Sequence, residues 1–474
     1  MRVYDKFYIN GEWVDPVTPK SLEVINPATE QVCATISIGS AADVDKAARA
    51  ARAAFASYGR SSRDERIALL TAVVETYQKR YNDIADAISE EMGAPTRLAV
   101  DAQAASGLGH LSTALEILKT YEFEEMAGNS RIIKEPIGVC GLITPWNWPI
   151  NQISCKVAPA LAVGCTVVLK PSEVAPLSGY LFTEVMHEAG VPAGVFNMIN
   201  GDGAGVGTAI SSHPEIDMVS FTGSTRAGSL VAQNAAPSIK RVTQELGGKS
   251  PNIILEDVDL EAAVTRGVMH MYNNTGQSCN APSRMLVPRS LLEQAEAIAA
   301  AVTGSVVVGD PKAEETTMGP VVSEAQFNKI QGLIQAGIDE GAKLVCGGVG
   351  RPEGLEHGYY VRPTVFSKVN NDMTIAREEI FGPVLVMMPY DSVEEAIAIA
   401  NDTPYGLAGY IQGNNGDEVM DVASRIRAGN ISINGTSGDL NTPFGGYKQS
   451  GNGREWGAHG FTDYLEVKAL SGAA

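Results

Sequence analysis

Short apolar runs alternate with helical stretches through the middle of this sequence, between residues 138 and 255. The pattern predicts strands at Val139–Ile143, Thr166–Leu169, Val195–Ile199, Met218–Phe221 and Arg241–Glu245, with helices at Ala175–Glu188 and Ala204–Ser211. A chain that alternates strand and helix in this way is typical of a parallel sheet with helices packed on it. The sequence therefore predicts an α/β fold built on a parallel sheet.

A second series of the same kind follows towards the C-terminus. It contains helices near 260–273, 290–303, 324–339, 392–401 and 417–426, and strands near 285–287, 343–346 and 383–388. The chain has 474 residues, a length that suits two to three domains. We therefore expect a second α/β domain.

The N-terminal part carries signals for a hairpin and two helical stretches. The residues Phe7–Val14 predict a small hairpin with an Asn-Gly turn. An alanine-rich helix is expected over residues 41–58. Ser61 and Ser62 are N-cap candidates for a second helical stretch, which stops at Gly93.

Two further segments have the pattern of strands that lie outside a core. The stretches Tyr121–Phe123 and Arg131–Lys134 flank Gly128–Ser130, which predicts a two-stranded arm. The C-terminal stretch Phe461–Val467 also alternates like a strand. Strands with one polar face are candidates for pairing across a subunit interface. The alternative is that both are ordinary edge strands facing solvent.

Charge and composition exclude several classes of function. The chain has 36 basic and 55 acidic residues, a formal net charge of −19, so its field repels polyanions and disfavours nucleic-acid binding. No run of 18 apolar residues occurs, so we expect no transmembrane helix and no membrane partner. The first residues, Met1–Lys6, lack the apolar core of a signal peptide. We therefore expect a cytoplasmic protein.

Six cysteines are spread along the chain without Cys-x-x-Cys spacing and without the placement of zinc ligands beside the histidines. We therefore expect no metal site and no disulfide framework. Five of the cysteines suit small buried hydrophobes. Cys279 differs, because small polar residues bracket it in the run Gly276–Asn280 and a helix is predicted to begin there. A thiol in that position could become a thiolate nucleophile.

Two other features could act with this cysteine. Glu245 ends a predicted strand and could serve as a general base in the same cleft. The turn Trp146–Pro149 could offer an amide donor to a developing oxyanion. Each feature by itself is also explained by packing or turn chemistry, and spacing alone does not join them.

Loops that follow the predicted strands could bind a dinucleotide. The loop Phe221–Gly228 follows a strand and opens a helix with small residues, which suits phosphates. This loop and the stretch Gly201–Gly207 both lack Gly-x-Gly-x-x-Gly spacing, so ordinary tight turns are the alternative. Lys170 and Glu173 follow another strand, where a carboxylate could accept hydrogen bonds from ribose hydroxyls and would repel a 2′-phosphate. The alternative there is a solvated charged loop.

Taken together, these motifs resemble the aldehyde dehydrogenase superfamily over essentially the full length of the chain. Seven segments occur in the order of that family, namely Thr144–Pro149, Lys170–Glu173, Phe221–Thr225, Glu245–Lys249, Gly276–Cys279, Glu378–Pro383 and Pro443–Gly451. The resemblance implies an α/β fold with a Rossmann-type parallel-sheet cofactor domain, a second α/β catalytic domain and a small β oligomerisation arm. It implies an NAD-binding domain at 1–117 and 138–247, a catalytic domain at 248–445, and an arm with the C-terminal strand at 118–137 and 446–474. A homodimer or homotetramer is also implied.

The resemblance further implies roles for individual residues. Cys279 resembles the nucleophile, Glu245 the general base, and Asn147 the side-chain half of the oxyanion hole. The positions that resemble cofactor contacts are Trp146, Lys170, Ser172, Glu173, Gly223, Ser224, Leu246, Gly247, Glu379 and Phe381, with Lys156 nearby. The implied reaction is attack of the thiolate on an aldehyde, hydride transfer to NAD, and hydrolysis of the resulting thioester.

Two of these residues bear on the choice between related reactions. Glu245 favours hydrolysis over transfer to coenzyme A, and Glu173 favours NAD over NADP. A coenzyme-A-acylating enzyme and a catalytically silent scaffold relative are the alternatives.

By the same resemblance, the substrate tunnel includes Trp148, Asn151, Cys155, Ser278, Asn280, Thr436 and Phe444. Several of these are small and polar, where many relatives that oxidise simple aldehydes carry larger apolar groups. A buried polar group needs a partner, so we expect a polar substrate such as a semialdehyde, a keto-aldehyde or a heteroaromatic aldehyde. One candidate is 3-succinoylsemialdehyde-pyridine. The alternative is that these side chains bind water or backbone and do not indicate the substrate.

Overall fold

The computed structural model describes residues 2–472, so Met1 and the last two residues lie outside the described part of the chain. The strands, in chain order, are β1 (Arg2–Tyr4), β2 (Phe7–Ile9), β3 (Glu12–Val14), β4 (Ser21–Asn26), β5 (Gln31–Ser37), β6 (Glu124–Ala127), β7 (Ser130–Pro136), β8 (Val139–Ile143), β9 (Thr166–Lys170), β10 (Phe196–Met198), β11 (Met218–Thr222), β12 (Arg241–Glu245), β13 (Pro251–Ile254), β14 (Arg284–Pro288), β15 (Lys343–Cys346), β16 (Thr364–Ser367), β17 (Val384–Tyr390), β18 (Ala408–Gln412), β19 (Asn430–Ile433), β20 (Gly451–Asn452) and β21 (Leu465–Ser471).

The helices, in chain order, are α1 (Ala41–Tyr58), α2 (Arg63–Lys79), α3 (Tyr81–Met92), α4 (Thr96–Leu98), α5 (Ala105–Thr120), α6 (Pro149–Val163), α7 (Leu177–Glu188), α8 (Thr208–Ser212), α9 (Thr225–Ala235), α10 (Leu260–Tyr272), α11 (Leu292–Gly304), α12 (Glu324–Asp339), α13 (Thr374–Arg377), α14 (Val393–Asn401), α15 (Gly416–Arg425) and α16 (His459–Thr462). None of these helices combines the length and the apolar character that crossing a bilayer requires.

The first half of the chain contributes all but one strand of an eight-stranded sheet, whose strand order is β20-β12-β11-β8-β9-β10-β2-β3. Its central strands from β12 to β10 run parallel, as predicted, and their bounds lie within a residue of the predicted ones. Alternate residues of a strand face opposite sides of the sheet. Val139 and Ile143 of β8 pack into the core that contains α1, whereas Cys140 and Leu142 pack into the core that contains α6. Both faces of the sheet are therefore covered by helices.

The predicted N-terminal hairpin forms one edge of this sheet. Strands β2 and β3 pair antiparallel, and the two residues between them, Asn10 and Gly11, have φ angles of 55° and 80°. A positive φ at both turn positions is the geometry that favours Asn-Gly in a two-residue hairpin.

A second, seven-stranded sheet is formed by the second half of the chain, in the order β15-β16-β17-β14-β13-β18-β19. All neighbours in it run parallel except β15 and β16. The sequence predicted three of its strands and missed β13, β16, β18 and β19. The missed strands have four or five residues each, as do the predicted strands β14 and β15, so length alone does not explain the misses. The prediction of a second α/β layer is confirmed.

The predicted arm is a three-stranded sheet in the order β21-β7-β6. Its first strand was placed too early, because Tyr121–Phe123 is not a strand and β6 begins at Glu124. The prediction of a strand over Phe461–Val467 is wrong in its first half, because α16 extends to Thr462 and β21 begins at Leu465. Phe461 and Tyr464 are both buried, and residues three apart share one face of a helical turn but lie on opposite faces of a strand. β21 pairs antiparallel with β7 of the same chain. Pairing across a subunit interface stays a prediction.

Two predicted helices are interrupted. The stretch expected to run from Ser61 or Ser62 to Gly93 is divided at Arg80, where ψ is 8° and the chain changes direction between α2 and α3. The Arg80 guanidinium there binds carboxylates of α3 and α7, which anchors the bend. The helix expected over Ala204–Ser211 opens with a wide π-type turn at Gly203–Gly207 before α8, because its glycines favour the regular helix poorly.

Candidate active site

Neighbouring strands of the first sheet end at one edge, and the loops after them carry the residues that the sequence singled out. These loops begin with Pro145–Asn147 after β8, Lys170–Glu173 after β9, Gly223–Ser224 after β11 and Glu245–Gly247 after β12. The carboxyl ends of parallel strands form the ligand-binding edge of such sheets. Gly248 brings this edge against the loop of Cys279. A Cβ atom at Gly248 would lie 2.2 Å from the carbonyl oxygen of Cys279, so only glycine fits.

Two cavities meet at Cys279. The first has a volume of about 210 Å³ and lies at the sheet edge. The second has a volume of about 250 Å³ and is lined by residues of α6, α10 and the C-terminal loops. Cys279 is the one described residue that belongs to both linings. Its side chain is therefore within reach of ligands in either space.

Cys279 lies in a loop between the 3₁₀ turn Asn273–Gly276 and strand β14. The prediction that a helix begins at this cysteine is wrong. Asn274, Thr275 and Gly276 have φ angles of 52°, 57° and 71°, a left-handed backbone that turns the chain out of the helical path. The thiol therefore does not lie at the start of a helix formed by its own segment of the chain.

Buried amides hold Asn147 against this loop. Asn147 Nδ2 donates a hydrogen bond to the carbonyl oxygen of Gln277 at 3.0 Å. Asn274 Nδ2 donates to the same carbonyl at 3.2 Å and to the carbonyl of Asn147 at 2.8 Å. Gln103 Nε2 donates to the carbonyl of Asn147 and to Asn274 Oδ1, both at 3.2 Å. A carboxamide nitrogen carries two hydrogens, so Asn147 retains one for a ligand beside Cys279.

Burial and negative charge act on the thiol. Burial raises the pKa of Cys279 well above its usual range, and the carboxylates of Glu379 and Glu245 raise it further. Burial also raises the pKa of Glu379 to about 6, although the backbone N–H of Gly248 donates to its carboxylate at 2.9 Å and opposes that shift. The resting thiol is therefore protonated at neutral pH and needs a base to become a thiolate.

Glu245 ends β12 but lines neither cavity. Both of its carboxylate oxygens are buried, without a hydrogen-bond partner among residues 2–472. Burial raises the pKa of Glu245 well above its usual range, with Glu455 adding to the shift and Lys156 opposing it. Lys156, expected near the cofactor, is fully buried and pairs with Glu455 instead. Within the described part of the chain, no three His, Cys, Asp or Glu side chains cluster as metal ligands do.

Most of the predicted cofactor residues meet in the first cavity. Those that line it are Trp146, Gly223, Ser224, Leu246, Gly247, Glu379 and Phe381. Lys170, Ser172 and Glu173 do not line it. They lie at the end of β9, where Lys170 Nζ pairs with Glu173 Oε2 at 2.9 Å.

Three features of the first cavity suit a nicotinamide dinucleotide. Helix α9 begins next to Gly223 and Ser224, so its free N–H groups can bind phosphate. The Thr222 hydroxyl lines the cavity, buried and without a partner among the described residues. The rings of Trp146 and Phe381 meet edge to face at 5.4 Å and form an apolar wall for a planar ring. The residues present therefore fit such a cofactor.

Two residues of this cavity that the sequence did not indicate, Gln326 and Lys329, lie on α12. Gln326 Nε2 donates to the carbonyl of Phe381 at 2.7 Å, and Lys329 Nζ donates to the carbonyl of Glu379 at 2.8 Å. Phe381 has a φ of 60°, which is uncommon for a bulky residue. These two bonds hold the loop in that conformation and so direct Phe381 and Glu379 to the cavity.

The predicted substrate residues lie in three places. Those that line the second cavity are Trp148, Asn151, Ser278, Asn280 and Phe444. Cys155 lies behind its wall, with its thiol directed at Glu455 Oε2 at 3.4 Å. Thr436 is exposed on a loop and does not line this cavity.

Polar side chains lie in and behind the walls of the second cavity. Trp148 Nε1 donates to Ser278 Oγ at 2.8 Å, which fixes one wall. The Tyr410 hydroxyl donates to the carbonyl of Asn280 at 2.8 Å and fixes another. The carboxamide oxygens of Asn151 and Gln152 are buried without a partner among the described residues.

The sequence profile of the aldehyde dehydrogenase family matches residues 13–470. The chain belongs to the aldehyde dehydrogenase family. This aldehyde dehydrogenase is 57% identical over 473 residues to the 3-succinoylsemialdehyde-pyridine dehydrogenase of a Pseudomonas species, a match that covers 100% of this chain and 99% of that protein.

Solved structures agree with the fold of this aldehyde dehydrogenase. A cysteine-to-alanine variant of aldehyde dehydrogenase C from Pseudomonas syringae, solved with NAD⁺ and octanal, superposes with a TM-score of 0.98 at 56% identity, covering 99% of this chain and 97% of that chain. The NAD⁺ complex of an aldehyde dehydrogenase from Bacillus cereus superposes with a TM-score of 0.95 at 40% identity, covering 98% of this chain and 96% of that chain. The expected aldehyde dehydrogenase fold is thereby confirmed.

Several residues of this aldehyde dehydrogenase's second cavity escaped the sequence reasoning, namely Gln152, His270, Asn273, Glu455 and Trp456. Gln152 and His270 lie on helices α6 and α10, where a polar residue among buried ones gives no sign of which neighbour it meets. Glu455 and Trp456 stand between Gly453 and Gly457, just after the glycine-rich motif. This close spacing of glycines is a sequence signal of close backbone packing, and it could have indicated that Glu455 and Trp456 lie near the site.

Proposed function

We propose that this aldehyde dehydrogenase oxidises a polar aldehyde to the carboxylic acid with NAD, through a covalent intermediate on Cys279. The observation that carries the proposal is the position of Cys279 between two cavities. A sulfur there can attack an aldehyde in the second cavity while a cofactor occupies the first. The requirements of such an attack then indicate which roles the neighbouring residues have.

Attack on the aldehyde carbon converts the carbonyl oxygen into an oxyanion, which needs hydrogen-bond donors already in place. We assign Asn147 Nδ2 and the backbone N–H of Cys279 as these donors. The amide network around Asn147 supports this, because two bonds hold its backbone carbonyl and one, to the carbonyl of Gln277, holds its side chain. Donors held in this way stabilise the transition state more than mobile ones.

Glu245 is the base in this proposal. Burial raises the pKa of Glu245, which makes its carboxylate a stronger base than an exposed one, as general base catalysis requires. In its ionised form, Glu245 rotates into the space beside Cys279, accepts the proton of the thiol and releases it to solvent. It later accepts a proton from the water that hydrolyses the thioester. Lys156 and Glu455 adjoin it, and their opposite charges adjust how readily it ionises.

The residues assigned to NAD are those of the first cavity together with Lys170, Ser172 and Glu173 at the end of β9. When bound, NAD accepts the hydride that leaves the carbonyl carbon. The helix α9 N-terminus with Ser224 suits the pyrophosphate, and the Glu379 carboxylate suits ribose hydroxyls. Glu173 disfavours NADP, because a carboxylate beside a 2′-phosphate brings two negative charges together.

The substrate class is argued from the second cavity. The carboxamide oxygens of Asn151 and Gln152 are buried and unpaired among the described residues, and such an atom costs about 1–3 kcal/mol. A carboxamide offers both donors and acceptors. We therefore assign an aldehyde that carries a ketone, a hydroxyl or a ring nitrogen away from the reacting carbonyl, of the kind named for the relative at 57% identity.

A substrate comparison tests this proposal. NADH formation at 340 nm is measured with hexanal and with a polar keto-aldehyde of equal length, and kcat/KM is expected to be higher for the polar one. Asn151→Leu keeps the size of the side chain and should shift this preference towards hexanal. Octanal, the ligand of the neighbour at 56% identity, is the matched long apolar aldehyde. A wild-type preference for the apolar aldehydes would overturn the substrate class.

A second set of measurements tests the mechanism. Cys279→Ala should abolish NADH formation, and mass spectrometry of the wild type with substrate should detect an acyl group on Cys279. Added coenzyme A should leave the product a free acid. Formation of acyl-CoA would instead favour the acyl-transferring alternative.

We also propose that the protein forms a homodimer or homotetramer through the arm, and that its domains divide as the family resemblance implies. β21 and β6 are the two free edges of the arm sheet, and Met126 and Val467 on them are 54% and 67% exposed. Exposed edges and apolar side chains favour association. Light scattering should give a multiple of the 50.0 kDa chain mass, and a monomer would contradict the proposal.

A further inference from the structure

Trp456 separates the second cavity from a smaller one. The indole lines the 250 Å³ cavity that contains Cys279 and also lines a cavity of about 20 Å³. The smaller cavity is bounded on its other sides by His110, Ile117 and Phe461, among others. No other described residue belongs to both linings. The indole is therefore the partition between the two spaces.

Aromatic rings hold this partition on both sides. The ring of Phe444 stacks on Trp456 with centroids 4.5 Å apart and an angle of 21° between the planes. The ring of His110 packs against Trp456 at 5.2 Å. Burial lowers the pKa of His110 to about 4, so its ring is neutral and acts as an apolar support. Rings at these distances pack in close contact and restrict each other's motion.

The backbone of Trp456 is also held in a rare conformation. Its φ of 67° lies in the left-handed region, which bulky residues seldom occupy. Glu455 and Phe444 exchange two backbone hydrogen bonds at 2.7 and 2.8 Å, and the carbonyl of Trp456 accepts one from Gly460 at 2.9 Å. A conformation of this kind persists only where its surroundings fix it, and such positions cluster at functional sites.

We infer that Trp456 is a specificity-determining residue, which sets the width of the aldehyde cavity. The inference rests on the proposed function, because it takes the second cavity as the aldehyde site. With the indole in place, a substrate is confined to the 250 Å³ space beside Cys279. Without it, the cavity joins the space behind the indole. An engineered apolar cavity of about 150 Å³ binds benzene in another protein, so the space freed by removing the indole suits an aromatic group of a substrate.

The test compares aldehydes of different width. kcat/KM is measured for hexanal and for 3-(2-naphthyl)propanal, whose fused rings need the space of the indole. In Trp456→Ala, the ratio of kcat/KM for the naphthyl aldehyde to kcat/KM for hexanal should rise by at least roughly 10-fold, since one methylene of pocket space is already worth about 10–200-fold. Trp456→Phe keeps a ring against Phe444 and should give an intermediate ratio.

A matched control enlarges the smaller cavity without touching the partition. Ile117→Ala should leave the ratio at its wild-type value, and thermal unfolding shows which variants are folded. If Trp456→Ala does not fold, the ratio in Trp456→Phe decides. A ratio within about twofold of wild type in the folded variant, or an equal rise in Ile117→Ala, would overturn the inference. Failure of the wild type to reduce NAD with any aldehyde would refute the proposed function instead.

Discussion

Replacing Asn147 by alanine removes one of the two donors assigned to the oxyanion, and the structure predicts that this affects catalysis far more than folding. The side chain makes one hydrogen bond within the protein, to the carbonyl of Gln277. That carbonyl also accepts from Asn274 at 3.2 Å, so it keeps a partner in the variant. A net hydrogen bond contributes about 0.5–1.5 kcal/mol, so the free energy of unfolding should fall by about 1 kcal/mol.

The loss in rate should be much larger. Removing one oxyanion donor costs about 10²–10³ in kcat, or about 2.7–4 kcal/mol of transition-state stabilisation. The assay follows NADH at 340 nm with saturating NAD and hexanal, alongside thermal unfolding of the same sample. Asn147→Asp should be at least as slow, because it places a negative charge beside the developing oxyanion.

Asn151→Ala is the matched control, since it removes a carboxamide from the substrate cavity but not from the oxyanion position. With hexanal it should stay within about tenfold of wild type, a loss of less than about 1.4 kcal/mol. If Asn147→Ala also retained kcat within that range while unfolding normally, the assignment of Asn147 would be refuted.

Three other predictions follow from contacts elsewhere in the molecule. Gly248→Ala places a methyl group 2.2 Å from the carbonyl oxygen of Cys279, so it should displace the loop and reduce kcat with little change in the circular dichroism spectrum. Glu173→Gln should raise the ratio of kcat/KM with NADP to kcat/KM with NAD by roughly tenfold, equivalent to about 1.4 kcal/mol. A wild type that prefers NADP would contradict the role of Glu173. Burial raises the pKa of Glu91 from 4.5 to about 7, so the unfolded chain loses this proton first as pH rises. The contribution of Glu91 to the free energy of unfolding is complete below pH 4.5 and is lost as the pH rises through 7, a fall of about 3 kcal/mol. Urea titrations at several pH values should show this fall in the wild type and not in Glu91→Gln.

The sheet edge that carries the candidate site could be predicted closely from the sequence. The strands from β8 to β12 are short apolar runs between helices, and their ends mark where the functional loops begin. Parallel strands bring their carboxyl ends to one edge of a sheet, so the pattern places these loops there, although it does not by itself join Asn147 to Glu245. The family resemblance then supplied roles that spacing alone did not.

The conformation of individual loops could not be predicted in the same way. The loop of Cys279 contains three left-handed residues in succession, and only one of them, Gly276, is a glycine. Its shape depends on Gln103 and Asn147, which reach it from other elements through buried hydrogen bonds. Such contacts leave no periodic pattern in the sequence.

Contacts between distant segments explain the remaining misses. Trp456 and His110 meet across the substrate cavity wall, although one follows a glycine-rich loop and the other lies in the middle of α5. Gln326 looks like any polar residue near the start of an amphipathic helix, yet it holds the carbonyl of Phe381. Only the packing of α12 against that loop distinguishes it from its neighbours.

Because two separate cavities meet at one sulfur atom, the recognition of the aldehyde can change without a change in the binding of the cofactor. Mutations that redesign the aldehyde side need not touch a single group on the nucleotide side, since Cys279 is the described residue common to both. During evolution, such an enzyme can therefore acquire new substrates through a few substitutions in the aldehyde cavity, while the residues that bind the cofactor stay unchanged. For the same reason, a selective inhibitor of this enzyme is better sought among molecules that enter from the aldehyde side.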